Sequence, residues 1–367
     1  MNAPQTNPAG FVRAYRAEID AAIARVLDSG RYILGPEVAA FEQEFAAFLN
    51  VPHAIGVASG TEALWLALQS LDLSAGDEVI TVSWTATATV AAIVATGATP
   101  VFVDVCNDDL TMDPAQLSAA LSTRTRAIVP VHLYGQSARM TDIALIATEA
   151  GVPVIEDAAQ AHGARCAGRP VGTWGRAGAF SFYPTKNLGG LGDGGAIVTT
   201  DAGLAEQVRL RREYGWRQRF VSERHGWNSR LDEIQAAILR VHLRHLLAEN
   251  AARDAIAETY DRTLAGARLT VPPRFAGRST VHHQYVIRCN RRDQLQNRLA
   301  SQGVPTAIHY PVPVHLQPAY QRFGRGAGSL PVTEQSAQEV LSLLIHPHMT
   351  IAEAEVVGEL VSATLSG

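Results

Sequence analysis

The stretch that decides the fold is Ala179–Asp201, AFSFYPTKNLGGLGDGGAIVTTD. It sets one lysine, Lys186, among aromatics, a proline and a dense run of glycines, although lysines ordinarily ride on solvated surfaces. Gly190, Gly192 and Gly195 spell a literal G-x-G-x-x-G, the pattern of a dinucleotide-binding loop. That fingerprint has to follow a strand and open a helix. Here the glycines follow PTKNL and lead into AIVTT, a strand-like run. They are better explained as a tight loop that lets the backbone pass close to whatever Lys186 serves.

Outward from this loop, short apolar runs alternate with amphipathic segments. HAIGVAS, DEVITVSW, TPVFVDV, RAIVPVHL and VPVIEDA are β-branched runs bounded by Gly, Pro or Asp. Between them TEALWLALQSL, ATATVAAIVATG, DPAQLSAALS and MTDIALIATEAG carry helical periodicity. This strand–helix alternation predicts a mainly parallel, buried sheet flanked by helices. From Ser229 to Leu264 one long helical pattern runs without Gly or Pro and leads out of the sheet. We therefore expect a large domain over residues 1–245, including an N-terminal amphipathic helix with no evident docking partner. A smaller α+β domain is expected over residues 246–367.

The 367 residues are 47% hydrophobic and 18% charged, which suits a large core. A net charge of -4 gives no electrostatic reason to expect a nucleic-acid partner. The polar start MNAPQTNPAG predicts no signal peptide, and no apolar run reaches the ~18 residues of a membrane span. The three cysteines lack C-x-x-C spacing and read as small hydrophobes of a reducing, cytoplasmic compartment. The histidines show no H-x-x-x-H beside a carboxylate, so no metal site is expected.

In open α/β sheets ligands sit beyond the carboxyl ends of the strands. Asp157, ending VIED, reads either as a helix N-cap or as a carboxylate held beside a cationic ring nitrogen, with Gln160 and His162 in the next helical turn. Ser59, Gly60 and Thr61 open a helix; Ser59 and Glu62 have capping-box spacing, and the same start is a ready phosphate site. Trp84, just past VITVS, reads as a core or lid residue or as a ring-stacking platform. Together these supply what pyridoxal 5′-phosphate needs: an amine for its aldehyde, an acid for its ring nitrogen, a helix start for its phosphate and a flat cover.

On ASGTEAL, VFVDV, PVHLYGQ, VIEDAAQAHGA, FSFYPTKNLGGLGDGGA and NSRLDEIQAAILRVHL, the chain resembles the DegT/DnrJ/EryC1/StrS sugar aminotransferases along nearly its whole length. The resemblance implies the aspartate aminotransferase-like α/β fold (fold type I). It implies that Lys186 carries the cofactor and shuttles the proton, Asp157 keeps the pyridine nitrogen protonated, Trp84 covers the ring and Gln160 contacts O3′. Ser59, Gly60, Thr61 and Ser181 would bind the phosphate. Asn228 in GWNSRLDE would reach the phosphate of the neighbouring subunit's cofactor, making a homodimer with composite sites. Tyr183, His309 and Tyr310 would line the sugar pocket, and Arg217, Arg219 and Arg230 are candidates for a pyrophosphate.

The implied reaction moves an amino group from L-glutamate, through the pyridoxamine form, to a nucleotide-linked keto-deoxysugar. REYGWRQRFVSERHGWNSRLDE and AIHYPVPVHLQPAY look most like the branch acting on C3 of dTDP-3-keto-6-deoxyhexoses. The alternatives are a 4-aminotransferase and a non-catalytic regulatory member of the fold. A sugar dehydratase of this fold would carry histidine in place of Lys186. Leu344 stands where relatives commonly have proline, away from the chemistry.

Overall fold

A three-stranded and a four-stranded ladder join into one sheet in the computed structural model, which describes residues 5–366. Residues 1–4, part of the polar start from which no signal peptide is expected, lie outside the described residues. The strand order is Thr99–Val103, Glu78–Val82, Thr125–Val129, Ile155–Asp157, Ala177–Ser181, Gly195–Thr199, His53–Val57. Parallel bridges at Ile128–Val154 and Val131–Asp157 join the two ladders. Gly195–Thr199 alone runs antiparallel to both neighbours. The expected sheet is thus present, and the glycines after Lys186 do lead into a strand.

Successive side chains on a strand point to opposite faces, and both faces of this sheet are covered. Ile55, Val57, Val79, Val129, Ile155 and Ile197 pack with Leu64, Ile93 and Leu204 from the helices Gly60–Gln69, Thr87–Ala95 and Ala202–Arg211. On the other face Phe180 and Phe182 meet Phe45, from helix Pro36–Leu49, edge-on at ring separations of 5.1 and 5.5 Å. Sheets buried on both faces read as near-continuous apolar runs rather than alternations, which is why these strands were legible.

The N-terminal helix finds its partner here. It breaks at Tyr15 into Pro8–Ala14 and Arg16–Ser29, and Phe11, Ile19, Ala22 and Val26 pack on Ala237, Ile238 and Val241 of the long helix Glu233–Thr263. Glu233, fully buried, caps a second helix. Its carboxylate accepts from the N–H groups of Gly35, Glu37 and Val38 at 2.8, 2.9 and 2.8 Å. These orphan donors at the start of Pro36–Leu49 would otherwise lack partners.

Beyond the sheet, the long helix supplies Ile256, Ala257 and Tyr260 to a second core. There they meet the antiparallel strands Tyr285–Arg288 and Val340–Leu343 and the helices Arg292–Ser301 and Ile351–Ser366. Leu344 is part of that core. Among the described residues, no helix is long and apolar enough to cross a membrane.

One local expectation fails. No helix follows Asp157: residues 158–163 form turns, with Ala161 N donating to Ala158 O and Ala159 N to the Asp157 carboxylate. Asp157 is therefore not an N-cap, and Gln160 and His162 sit on a turn. His132 and Glu156 hold the strand ends here. Nδ1 of His132 accepts from Ala138 N at 3.0 Å, so Nε2 carries the proton and donates to Glu156 at 3.0 Å.

Candidate active site

The parallel strands end along one edge, and the loop from Ser181 to Gly195 arches over it. Ser59 caps helix Gly60–Gln69, its hydroxyl accepting from Glu62 N at 3.2 Å. The first intrahelical bond runs from Ala63 N to Ser59 O, which leaves the N–H groups of Gly60 and Thr61 without an intrahelical acceptor. Gly60 lies directly on Ser181: a Cβ there would come within 2.5 Å of Ser181 Cβ and 2.9 Å of its Cα. Only glycine permits that approach. The four residues expected at a phosphate are thereby brought together, with two free N–H donors and three hydroxyls at the positive end of a helix dipole.

Asp157 is buried and tied down at both oxygens. Thr89 donates to Oδ2 at 2.7 Å and Ala159 N donates to Oδ1 at 3.1 Å, while Thr85 and Thr89 hydroxyls lie 2.7 Å apart. Gln160 accepts from Tyr134 N at 2.7 Å and donates to the Tyr310 hydroxyl at 3.1 Å. Tyr134 in turn donates to the carbonyl of His309, and the His309 ring meets Ser342 at 2.8 Å. Burial, with the Asp157 charge adding to it, pushes the Tyr310 phenol up to about 12. Burial, and then the Lys186 charge, bring His309 down to about 4.

Lys186 is half-buried and makes no ion pair among the described residues. Burial lowers its amine to about 8, against the opposing pull of Asp157. The nearby histidines stay neutral for the same reason. His162 is pushed down to about 3, and His283 falls well below its ordinary value. The Asp157 carboxylate is thus the charge that supports the ammonium.

Not every expected residue converges here. Trp84 is fully buried in the core beneath the strand end, its ring 6.4 Å from that of Tyr310 and nearly edge-on. The position left partly open toward solvent is Ala86, two residues on. Tyr183 is exposed. Arg219 lies over the Phe220 ring at 4.8 Å on an exposed hairpin, and among the described residues no hydrogen bond or ring contact ties it to the cleft. Arg217 is paired with Glu206 and Glu223, and Arg230 with Glu213. Asn228 is exposed and does not cap the long helix, whose N-cap is Asp232. Its neighbour Ser229 accepts from Ala58 N at 3.2 Å, just ahead of Ser59.

Thr89 and Tyr134 were missed. Thr89 lies in a run of small residues that marks nothing chemically. Tyr134 carried a signal, since PVHLYGQ puts a bulky residue before glycine, and Tyr134 adopts φ +59°, a conformation uncommon outside glycine and worth inspection at a site.

The chain matches the model of the DegT/DnrJ/EryC1/StrS aminotransferase family over residues 13–362. It is 51% identical over 340 residues to a dTDP-3-amino-3,4,6-trideoxy-alpha-D-glucose transaminase of Streptomyces venezuelae, spanning 92% of this chain and 90% of the relative. It is 50% identical over 341 residues to the erythromycin biosynthesis sensory transduction protein EryC1 of Saccharopolyspora erythraea, spanning 93% of each. The crystal structure of S. venezuelae DesV in complex with a ketimine intermediate superposes with a TM-score of 0.98. It is 48% identical and covers 100% of this chain and 99% of that one.

Proposed function

Because this chain belongs to the DegT/DnrJ/EryC1/StrS family and is a pyridoxal phosphate-dependent aminotransferase of fold type I, we propose that it moves an amino group from L-glutamate to C3 of a dTDP-linked 3-keto-6-deoxyhexose. Support for the sugar comes from the S. venezuelae relative, a transaminase of a dTDP-3-amino sugar. The observation that carries the reading is one edge of the sheet bearing a desolvated lysine, a tethered carboxylate and a glycine-based anion cup.

Those residues fit the cofactor. When bound, pyridoxal 5′-phosphate supplies an electron sink for the carbon that loses or gains the amino group. Ser59, Gly60, Thr61 and Ser181 hold its phosphate, with hydroxyls and N–H groups that otherwise lack partners of that charge. Asp157 holds the proton on the ring nitrogen, its oxygens aimed by Thr89 and Ala159. Gln160 contacts O3′ and, through the Tyr310 hydroxyl, links the cofactor side of the cleft to the sugar side. Trp84, which packs edge-on to Tyr310, would cover the ring.

Lys186 binds the cofactor through its amine and later moves the proton between the reacting carbons. Its amine, at about 8, is close enough to neutrality to take and return protons near physiological pH. Tyr183, His309 and Tyr310 face the sugar. Asn228, exposed and with no side-chain hydrogen bond among the described residues, reaches the phosphate of a second subunit, and Arg219 extends toward a neighbouring site. A homodimer with composite sites then makes use of both exposed residues. Free, unpaired cysteines fit a cytoplasmic setting.

The test is direct. The loaded enzyme is incubated with glutamate and then with dTDP-, UDP- and GDP-linked 3-keto and 4-keto sugars, and the aminated product is identified by mass and NMR. A C3-aminated dTDP sugar is the expected result. Amination at C4 would replace the substrate assignment, and failure of the glutamate half-reaction would favour a regulatory protein.

A further inference from the structure

The long helix Glu233–Thr263 grips the chain after Lys186 at three successive points. Gln235 accepts from Leu191 N at 2.8 Å, His242 meets Gly189, and Asn250 accepts from the Asn187 side chain at 2.8 Å. On the helix these contacts are about two turns apart and share one face, while the loop advances two residues per contact. The lysine follows directly beyond the last one.

His242 is the central contact. Its Nδ1 lies 3.2 Å from Gly189 N and 2.9 Å from Gly189 O, and its Nε2 lies 3.0 Å from Glu249 Oε2. Burial pushes the Glu249 carboxyl up, but the His242 bond and the charges of His242, His348 and Arg253 outweigh it and hold it low. With Nε2 donating to Glu249, Nδ1 is left to Gly189, where it accepts from the N–H in the neutral ring or donates to the carbonyl in the protonated one; either bond fixes the same residue. Phe11 of the N-terminal helix stacks on the imidazole at 3.9 Å and 19°. Gly189 is also pressed against Pro184: a Cβ there would come within 2.7 Å of its carbonyl oxygen. The backbone three residues past Lys186 is therefore held by contacts with both Pro184 and His242.

We propose that His242, oriented by Glu249, is a positioning residue for Lys186. It sets the height of the glycine loop and thereby where the amine stands relative to the cofactor. This rests on Lys186 being the lysine that takes the cofactor, as assigned above. Misplacement of a reacting group by about 1 Å from a distant change can cost roughly 10²-fold. The polar bonds of His242 are thus worth testing apart from its packing.

The experiment follows capture of the cofactor by the apoprotein, trapped with borohydride at timed intervals and mapped to the modified lysine. His242→Phe keeps the ring and its stack on Phe11 while removing both bonds. His242→Asn keeps a side-chain oxygen near the place of Nδ1. Trapping on Lys186 should slow about 10- to 100-fold in His242→Phe and recover in His242→Asn, with kcat following it and KM for the sugar unmoved. Trapping at the wild-type rate in His242→Phe, or equal slowing in both variants, would overturn the proposal. Should His242→Phe fail to fold, Glu249→Leu removes the acceptor that orients Nε2, and a wild-type rate there overturns it equally. An adduct on another lysine in the wild-type protein would instead remove the assignment of Lys186 itself.

Discussion

Replacing Asp157 by asparagine isolates the charge from the architecture. The carboxylate accepts from Thr89 at 2.7 Å and from Ala159 N at 3.1 Å, and Thr89 lies 2.7 Å from the Thr85 hydroxyl. An asparagine can keep this network. Its oxygen accepts from Ala159 N, its NH2 donates to Thr89, and the Thr89 proton turns toward Thr85. The stability lost is then the difference between a charged and a neutral hydrogen bond, about 1–2 kcal/mol, and a melting shift of a few degrees at most. The chemistry loses more. A neutral amide cannot hold the ring nitrogen protonated, so both half-reactions should slow at least ~100-fold, or ~2.7 kcal/mol of transition-state stabilisation. The Lys186 amine, deprived of the Asp157 charge that raises it, should also titrate below about 8. Single-turnover kinetics with glutamate and with the ketosugar, beside a melting curve and the visible spectrum, separate these effects. Wild-type rates would refute the role, and so would a rate loss explained entirely by lost cofactor occupancy.

Lys186→Met should stabilise the apoprotein at pH 7. A lysine whose folded pKa of about 8 lies below its unfolded value destabilises the fold at every pH below 8, by about 2–4 kcal/mol. That penalty shrinks as pH rises from 8 toward the ordinary lysine range, so denaturation midpoints of variant and wild type should converge there, and a gap independent of pH would contradict the burial of the amine. Mixing Lys186→Ala with Asn228→Ala should restore activity through mixed dimers, in which one site carries both defects and the other none. Random exchange would return up to about a quarter of the wild-type rate, and no recovery in tagged, copurified heterodimers would remove Asn228 from the partner's site.

What the amino-acid order determined by itself is whatever repeats locally. β-branched runs bounded by Gly, Pro and Asp became the strands of a sheet buried on both faces, since such strands need no alternation. The Ser59–Gly60–Thr61 helix start was readable because capping chemistry is confined to three or four neighbouring residues. Lys186 stood out because its glycine-dense setting is at odds with a solvated side chain. Tertiary structure decided the rest, through partners far apart in the chain. Thr89 reaches Asp157 across 68 positions, Gln160 reaches Tyr310 across 150, and His242 reaches Gly189 across 53. These pairs exist only because the sheet order sets the Glu78–Val82, Thr125–Val129 and Ile155–Asp157 strands side by side and lays the long helix under the lysine loop. The same packing buries Trp84, whose place after a strand left a core or lid residue and a ring-stacking platform both open. It also ended the strand at Asp157 in turns, because the carboxylate was drawn to Thr89 and Ala159 rather than to a helix start. Burial, which lowers the Lys186 amine and the histidines around it, is a property of the whole surrounding volume, and no short stretch of sequence contains it.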